Sequence, residues 1–313
     1  MDIIALDIGG TNIRSAIIRI SDEGYEIIKK VKVQTGQSPL ESIVSSVEGL
    51  LHKTNFDIHA VGVSVAGIVD KKTGTLIKSP NIPKLEGLNL RDFLSDKITL
   101  IKDVARFSIE NDANAATYGE SIVGAGSEFD DFVLFTLGTG IGGGVVVDKR
   151  LLNIPAEIGH MSINNEGLQC PCGNVGCLET IASATAIINK VIASIQSGSE
   201  TLMKTLHNGN FYKINAQDIY HSALEGDILA RNVLRDAGKG LGIGIANMVN
   251  IFMPDAVILT GGLVGAWNIY VDSAIKEAHR RSMKELISKL KILPSKLGDD
   301  AGIVGIAYLS KGL

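Results

Sequence analysis

The chain has 313 residues, of which 45% are hydrophobic, and this length favours two domains over a single core. Its formal net charge is -4 and no run of Lys or Arg is long enough to follow a phosphate backbone, so nucleic acid is not expected as a partner. The first residues enter an apolar strand pattern without a preceding basic region, which predicts no secretory signal, no membrane association and a cytoplasmic location.

Three runs rich in β-branched residues open the chain, at 3–8, 13–20 and 25–33, and short polar or glycine turns separate them. This pattern predicts an antiparallel meander at the edge of a mixed sheet. A helical pattern follows at 39–52, with apolar side chains on one face, and then a buried strand at 61–65. Strands that alternate with helices in this way are typical of an α/β domain.

The same organisation begins again after residue 112, where an alanine-rich helix leads to a strand at 132–137, a glycine-rich turn and a strand at 144–147. We interpret this repetition as an internal duplication. Most of the remainder is helical, with helices predicted at 183–197, 218–225, 227–252, 267–283 and 301–311 and a strand at 256–259. We therefore expect a small α/β domain of residues 1–112 and 300–313 and a large one of residues 113–299.

A glycine turn joins the first two predicted strands and reads Asp7-Ile8-Gly9-Gly10-Thr11. Glycine lets a backbone approach an anion closely, the amides and the Thr11 hydroxyl can donate to phosphate oxygens, and Asp7 could hold Mg²⁺ through water. The competing interpretation is a tight hairpin in which glycine only supplies a positive φ. This motif alone favours the phosphate interpretation only slightly.

Two further glycine motifs occur in the second half of the chain. The first, at 137–144, has no lysine after it, so it is not a P-loop, and with the first turn it would clamp a polyphosphate from both sides. Its candidate phosphate contacts are Gly138, Thr139, Gly140 and Gly142. The second, Thr260-Gly261-Gly262, ends a strand and precedes a helix, where α/β domains bind ligands, and a helix cap with a turn explains it equally well.

Residues 110–116 carry several polar side chains from the end of a predicted strand into the start of a helix. A helix N-cap accounts for one of them, Asn111 or Asp112, but not for all. Phosphoryl transfer needs in-line positioning, charge neutralisation and a carboxylate that accepts the proton of the acceptor hydroxyl. Asp112 is the best candidate for this catalytic base.

All three cysteines lie in one short segment downstream of a histidine, which is typical of a metal site in a reducing compartment rather than of a disulfide framework. The Cys₃His set of a closed tetrahedral Zn²⁺ site would be His160, Cys170, Cys172 and Cys177. The alternative, a buried histidine beside small apolar cysteines, fits the spacing less well. Four protein ligands predict a structural ion, which would stiffen a loop that carries Glu157, His160 and Glu179. The two carboxylates of this loop could accept hydrogen bonds from vicinal sugar hydroxyls.

Together these motifs resemble the ROK family, which contains sugar kinases, repressors and open reading frames of unknown role. The resemblance covers nearly the whole chain, from the Asp7 turn through 79–81, 111–114, 137–144, 157–160 and the cysteine segment to the Thr260 turn. It implies an α/β, two-lobed actin-like ATPase (ribonuclease H-like) fold with duplicated mixed-sheet domains. It implies sugar contacts from Gly67, Asn81, Asn111, Asp112, Glu157, His160 and Glu179. The nucleotide contacts it implies are Asp7, Gly9, Gly10, Thr11, Gly138, Thr139, Gly140, Gly142, Gly261 and Gly262.

The resemblance further implies ATP-dependent phosphorylation of a hexose at its 6-hydroxyl, as in a glucokinase or a broad-specificity hexokinase, with Mg²⁺ and Zn²⁺ as cofactors and a homodimer or higher homo-oligomer as the assembly. N-Acetylmannosamine and N-acetylglucosamine stay open as sugars, because the motifs do not report the room around C2. A sugar-sensing regulator ranks lower, since the turn at residue 7 leaves no space for an N-terminal DNA-binding domain. One departure is the 90–111 segment, which is longer than the family pattern and in which 98–106 has no clear assignment.

Overall fold

The structure, a computed structural model, describes residues 1–52, 56–102, 104 and 106–312. The chain divides into two compact units. Unit 1 comprises Met1–Asp130, Gly144–Ala156 and Ser295–Leu313, and unit 2 comprises Asp131–Gly143 and Glu157–Pro294. The predicted domains differ from these units chiefly in where they place 113–130 and 144–156, and the predicted division stays a prediction.

The strands and α-helices of the described residues have the following bounds. The strands are β1 (Asp2–Ile8), β2 (Asn12–Ser21), β3 (Gly24–Gln34), β4 (Ile58–Val65), β5 (Ile68–Asp70), β6 (Thr75–Lys78), β7 (Arg106–Asn111), β8 (Phe132–Leu137), β9 (Ile141–Val147), β10 (Arg150–Leu151), β11 (Ala256–Thr260) and β12 (Lys291–Pro294). The α-helices are α1 (Pro39–Leu51), α2 (Leu90–Lys97), α3 (Thr99–Lys102), α4 (Asp112–Val123), α5 (Glu179–Ala182), α6 (Ala184–Gln196), α7 (Ala216–Leu224), α8 (Ile228–Phe252), α9 (Asp272–Arg281), α10 (Lys284–Ile287) and α11 (Ala301–Lys311).

The first sheet lies in unit 1 and has the strand order β3-β2-β1-β4-β7. β1, β2 and β3 pair antiparallel, whereas β1, β4 and β7 run parallel, so the predicted meander at the edge of a mixed sheet is confirmed. β1 is buried on both faces: Ile4 and Leu6 join one core with α1, and Ile3 and Ala5 join another with α11. Because side chains alternate along a strand, one strand anchors helices on both sides of the sheet.

Helices α4 and α11 approach each other closely at two glycines. A Cβ on Gly305 would lie 1.7 Å from the Ala115 carbonyl oxygen, and a Cβ on Gly119 would lie 2.6 Å from the Ala301 carbonyl oxygen. Only glycine permits two backbones to pack this closely. The crossing holds α4 in place, and α4 is the helix that begins with Asp112.

The second sheet has the order β10-β9-β8-β11-β12, and the division between the units falls within β9. β8, β11 and β12 run parallel. In unit 2 the long helix α8 follows the N-cap Asp227, whose carboxylate accepts from the Ala230 amide, and the helix stops at Met253 in the left-handed conformation. The prediction that 241–259 contains a buried helix followed by a strand is confirmed by α8 and β11.

Most predicted elements agree with the structure to within a few residues, and two segments need comment. The helix predicted at 267–283 is a π-helical turn, Trp267–Val271, followed by α9, which ends at Arg281. The unassigned segment 98–106 contains α3 and the first residue of β7, while residues 103 and 105 lie outside the described residues. In the part of the chain that is described, no helix is both long and apolar enough to cross a membrane.

Candidate active site and metal centre

The glycine turn between β1 and β2 closes through the Gly9 amide, which donates to the Asn12 carbonyl oxygen at 3.0 Å. Neither Gly9 nor Gly10 has a positive φ, so the interpretation of these glycines as positive-φ turn residues is wrong. A Cβ on Gly10 would lie 3.1 Å from the Asn81 Cβ and 3.2 Å from the Asn81 carbonyl oxygen. Glycine therefore permits the approach of the Asn81 turn, and two predicted contact regions meet. The backbone oxygen of Thr11 accepts from the Thr35 amide at 3.0 Å.

Asp7, near the end of β1, is held by two polar partners. Its Oδ1 accepts from the Ser64 hydroxyl at 2.9 Å, and its Oδ2 lies 3.5 Å from Arg14 Nη1. Burial raises the pKa of Asp7, while the Ser64 hydrogen bond and the Arg14 charge oppose that shift. Sequence reasoning missed Arg14, although it lies directly across the β1–β2 ladder from Asp7, where cross-strand pairs form.

Asn111 caps α4 and ties the helix to the Gly67 turn. Its Oδ1 accepts from the amides of Ala113 and Asn114 at 3.0 and 3.1 Å, and its Nδ2 donates to the Gly67 carbonyl oxygen at 3.0 Å. Of the two candidates, Asn111 is thus the N-cap. Asp112 is the first residue of the helix, and its Oδ1 accepts from the Ala113 amide at 2.9 Å. The positive end of the helix macrodipole favours a carboxylate at this position.

The Gly67 turn is in turn bound to the Asn81 turn. Gly67 has a φ of 132°, and a Cβ there would lie 2.3 Å from a backbone carbonyl oxygen, so the position requires glycine. The buried Ser79 hydroxyl donates to the Ala66 carbonyl oxygen at 2.6 Å, which fixes the exposed Asn81 two residues later. The predicted residues that unit 1 brings together through these contacts are Gly10, Gly67, Asn81, Asn111 and Asp112.

An ion pair that sequence reasoning missed lies two residues before Asp112. Glu110 is only 5% exposed, pairs with Lys71, and accepts from the Asn111 amide at 2.9 Å and from the Asn114 side chain at 3.2 Å. Lys71 also donates to the Asn153 side chain at 2.5 Å. No periodicity in the sequence pairs residue 71 with residue 110, so only the folded chain reveals this contact.

In unit 2, hydrogen bonds to residues outside the turn restrain the backbone of the glycine hairpin 137–144. The Ile141 amide donates to Glu179 Oε2 at 2.8 Å, and the Gly142 amide donates to the Thr136 hydroxyl at 3.0 Å. The Gly138 carbonyl oxygen accepts from the Ala184 amide at 2.9 Å. Each of these bonds joins the hairpin to a residue outside the turn itself.

Close approaches also join this hairpin to the loop that begins at Glu157. A Cβ on Gly140 would lie 2.3 Å from Glu179 Oε2, and a Cβ on Gly159 would lie 1.9 Å from the Ile141 carbonyl oxygen. Gly143 is a third close approach, because a Cβ there would lie 2.0 Å from the Ile158 side chain. The predicted residues that these contacts bring together in unit 2 are Gly140, Gly142, Glu157, His160 and Glu179.

The predicted metal ligands form one cluster. The donor atoms of His160, Cys170, Cys172 and Cys177 all lie within 4.8 Å of one another. Cys172 Sγ is 3.7 Å from Cys177 Sγ, and Cys170 Sγ is 3.6 Å from His160 Nδ1. A tetrahedron with Zn–S bonds of about 2.3 Å and a Zn–N bond of about 2.05 Å has edges of about 3.8 and 3.6 Å. The residues therefore fit a tetrahedral metal ion.

The protonation of these side chains is consistent with a cation site. Burial raises the pKa of Cys170, and burial with hydrogen bonds to the other two thiols raises the pKa of Cys177 to about 12. Burial acts in the same direction on Cys172, but hydrogen bonds from the Asn174 amide and the other thiols lower its pKa overall. A divalent cation supplies the positive charge that lets such a group of thiols ionise. The second nitrogen of His160, Nε2, lies 3.9 Å from Glu157 Oε2.

The third glycine motif follows β11. Gly261 has a φ of 98°, and a Cβ there would lie 2.4 Å from the Leu137 carbonyl oxygen, so a turn requirement explains this glycine. A Cβ on Gly262 would meet no atom within 4 Å, so packing does not explain the second glycine. The helical segment that follows carries the buried Tyr270, whose hydroxyl donates to the Ala182 carbonyl oxygen at 2.7 Å.

Two mixed sheets, each containing a strand–turn–strand unit with glycine in the turn, and helices against both faces of β1 define the actin-like ATPase class of α/β proteins. The predicted fold class is confirmed. The family model described as "ROK family" matches residues 3–312, and the chain belongs to this family. The resemblance that the motifs indicated is thereby confirmed.

Individual relatives match over most or all of the chain. A glucokinase of Thermotoga maritima is 32% identical over 318 residues, which cover 99% of this chain and 98% of the relative. The crystal structure of a ROK family glucokinase from Streptomyces griseus in complex with glucose and AMPPNP is 31% identical, covers 100% of both chains and has a TM-score of 0.85. The xylose repressor of Bacillus subtilis is 30% identical over 310 residues, which cover 98% of this chain and 73% of the repressor.

Proposed function

We propose that this protein is an ATP-dependent sugar kinase that transfers a phosphoryl group to the 6-hydroxyl of glucose. The observation that carries the proposal is the start of α4, where the Asn111 cap fixes Asp112 and ties the helix to the Gly67 turn. Full-length similarity to two glucokinases, one of them solved with glucose and AMPPNP, supports glucose as the sugar and ATP as the donor.

Asp112 is the proposed catalytic base. Its carboxylate accepts the proton of the 6-hydroxyl while that oxygen attacks the γ-phosphorus in line, and the bond from phosphorus to the β–γ bridging oxygen breaks to release ADP. A base contributes most when it is held in one place, and the hydrogen bonds at the start of α4 supply that restraint for Asp112.

The proposed sugar contacts use groups that suit hydroxyls. Carboxylates accept hydrogen bonds from hydroxyls, and asparagine amides both donate and accept. The proposed contacts in unit 1 are Gly67, Asn81, Asn111 and Asp112. Those in unit 2 are Glu157, His160 and Glu179.

The glycine turns are the proposed phosphate contacts for MgATP. Backbone amides and threonine hydroxyls donate to phosphate oxygens, and Mg²⁺ neutralises charge on the transferred group. Asp7 would hold Mg²⁺ through water, since a carboxylate is the ligand that this ion prefers. The full set of proposed nucleotide contacts is Asp7, Gly9, Gly10, Thr11, Gly138, Thr139, Gly140, Gly142, Gly261 and Gly262.

Zn²⁺ is the proposed occupant of the Cys₃His cluster. Its four donors leave no position for substrate, so the ion is structural and its role is to hold the loop from Glu157 to Cys177. We further propose a homodimer or higher homo-oligomer and a cytoplasmic location. The repressor relative supports a second candidate function, a sugar-responsive regulator that binds sugar without phosphorylating it.

The test is ATP-dependent phosphorylation of glucose, mannose, fructose, N-acetylglucosamine and N-acetylmannosamine by the purified protein, with kcat/KM compared across the sugars. We expect glucose to rank first, and Asp112→Asn to lower kcat by about 10²- to 10⁴-fold with little change in glucose affinity. Asp96→Asn, at an exposed position, is the matched control and should behave as wild type.

The outcomes separate the candidates. Preference for an acetamido sugar would replace glucose by an N-acetylhexosamine. Wild-type turnover in Asp112→Asn would remove Asp112 from the role of base. Sugar binding without turnover on any sugar of the panel would favour the regulator.

A further inference from the structure

Glu179 lies against the glycine hairpin as well as in the proposed sugar-binding set. Its Oε2 accepts the Ile141 amide at 2.8 Å, at the point where β9 begins. A Cβ on Gly140 would lie 2.3 Å from the same oxygen, and Gly140 does not have a positive φ. The Glu179 carboxylate thus occupies the space that a side chain at residue 140 would need.

The chain around Glu179 is joined to the hairpin at two further points. We call residues 177–185 the coupling segment, because this stretch begins at the metal ligand Cys177 and ends beside the hairpin. The Ala184 amide donates to the Gly138 carbonyl oxygen at 2.9 Å, and the Thr185 hydroxyl donates to the Thr139 carbonyl oxygen at 2.7 Å. Three hydrogen bonds thus connect the segment to three hairpin residues, 138, 139 and 141.

We propose that Glu179 couples sugar binding to phosphate binding by fixing the glycine hairpin through the Ile141 amide. This inference rests on the proposed function, which makes Glu179 a sugar contact and the hairpin a phosphate contact. A carboxylate accepts several hydrogen bonds, so Glu179 can take one from a sugar hydroxyl while it keeps the bond to Ile141. Bound sugar restrains the Glu179 carboxylate, and through the bond to the Ile141 amide the carboxylate then orders the hairpin before the nucleotide binds.

The expected consequence is positive and reciprocal cooperativity between the two ligands. A ligand that binds to an already ordered site loses less conformational entropy, and linkage requires that each ligand raise the affinity for the other by the same factor. Coupling of this kind is typically about 5- to 150-fold. In this role Glu179 is a positioning residue for the hairpin, in addition to its proposed contact with sugar.

Titration calorimetry of the full-length protein with glucose, in the absence and presence of saturating AMPPNP, measures the coupling factor as the ratio of the two dissociation constants. We expect a factor of about 5 or more for wild type. Gly140→Ala pushes the carboxylate away and should bring the factor close to 1. Gly265→Ala is the matched glycine control, because a Cβ there meets no atom within 4 Å and residue 265 lies outside the proposed contacts, and it should keep the wild-type factor.

Glu179→Gln is the second variant. Glutamine has the same shape as glutamate, but without the charge it accepts a weaker hydrogen bond from the Ile141 amide. The coupling factor of this variant should be at least about 3-fold lower than that of wild type. Metal content and circular dichroism report whether each variant is folded. A wild-type factor near 1, or a wild-type factor retained in folded Gly140→Ala or in Glu179→Gln, overturns the coupling role. If wild type phosphorylates glucose but its coupling factor is near 1, only this inference is overturned. If wild type does not bind glucose, the proposed function is overturned as well.

Discussion

Replacement of Glu120 by glutamine should destabilise unit 1 more than any comparable surface change. Glu120 lies on α4, is fully buried, and gathers donors from two separate stretches of chain. Oε1 accepts from the Ser295 hydroxyl at 2.5 Å and the Leu297 amide at 2.9 Å, and Oε2 accepts from the Ala125 amide at 2.6 Å and the Lys296 amide at 3.3 Å. The carboxylate thereby binds the chain where it returns to unit 1 at Ser295.

The size of the effect follows from the number of acceptors that are lost. Glutamine keeps one acceptor oxygen and places an NH₂ group against the donors of the other, so about two hydrogen bonds to a charged acceptor disappear. Each is worth about 1.5–3 kcal/mol, and the buried donors left behind add to the cost. We expect the free energy of unfolding of unit 1 to fall by at least about 3–6 kcal/mol, which lowers Tm by about 10 °C or more for a unit of this size.

Thermal and urea unfolding, followed by circular dichroism, measure this change in Glu120→Gln against wild type. Glu48→Gln is the matched control, because Glu48 is exposed on α1, and the control should change stability by no more than about 0.5 kcal/mol. If Glu120→Gln unfolds within about 1 kcal/mol of wild type, the four hydrogen bonds do not contribute as the geometry requires and the reasoning is refuted.

Two further changes test the ion pair before Asp112 and the metal site. Lys71→Met leaves the buried Glu110 without its cation and should lower the free energy of unfolding by about 2 kcal/mol, less than for a fully buried pair because Lys71 is 36% exposed. In urea unfolding, the double variant with Glu110→Gln should recover part of this loss. Purely additive effects of the two changes would contradict the pairing. Cys172→Ser should abolish zinc binding, measured by mass spectrometry, and raise KM for glucose. Gln169→Ala in the same loop should change neither the zinc content nor KM. A fully active, metal-free protein would contradict the structural role of the ion.

The Cys₃His cluster could be predicted from sequence because its residues lie close together along the chain. Cys170, Cys172 and Cys177 are within one turn-rich loop, so their spacing alone nearly determines that their sulfur atoms meet. The same reason explains the success with the β1–β2–β3 meander and with the helix that starts at Asp112, where local periodicity and a local cap specify the structure. Short-range patterns thus predicted short-range contacts.

The contacts that were missed join parts of the chain that no local pattern relates. Glu120 and Ser295 are separated by 175 positions, and the pair of Lys71 with Glu110 depends on how the β5 turn lies against β7. Sequence periodicity describes which face of an element is buried, but it does not say which polar side chains two distant elements share. Buried carboxylates such as Glu110 and Glu120 therefore become understandable only after their donors are located.

The glycine-rich turns were the main reason to expect a nucleotide. In the structure, these glycines fall into two groups, according to whether contacts within the chain explain them. Gly10 lies close to Asn81, Gly140 lies close to the Glu179 carboxylate, and Gly261 combines a positive φ with a close carbonyl, so contacts within the chain account for glycine at each of these positions. At Gly138 and Gly262 a Cβ would meet no described atom within 4 Å, and neither has a positive φ. Open space beside the backbone is what the proposed phosphate contacts need at these two positions, because a phosphate oxygen must come close to a backbone amide.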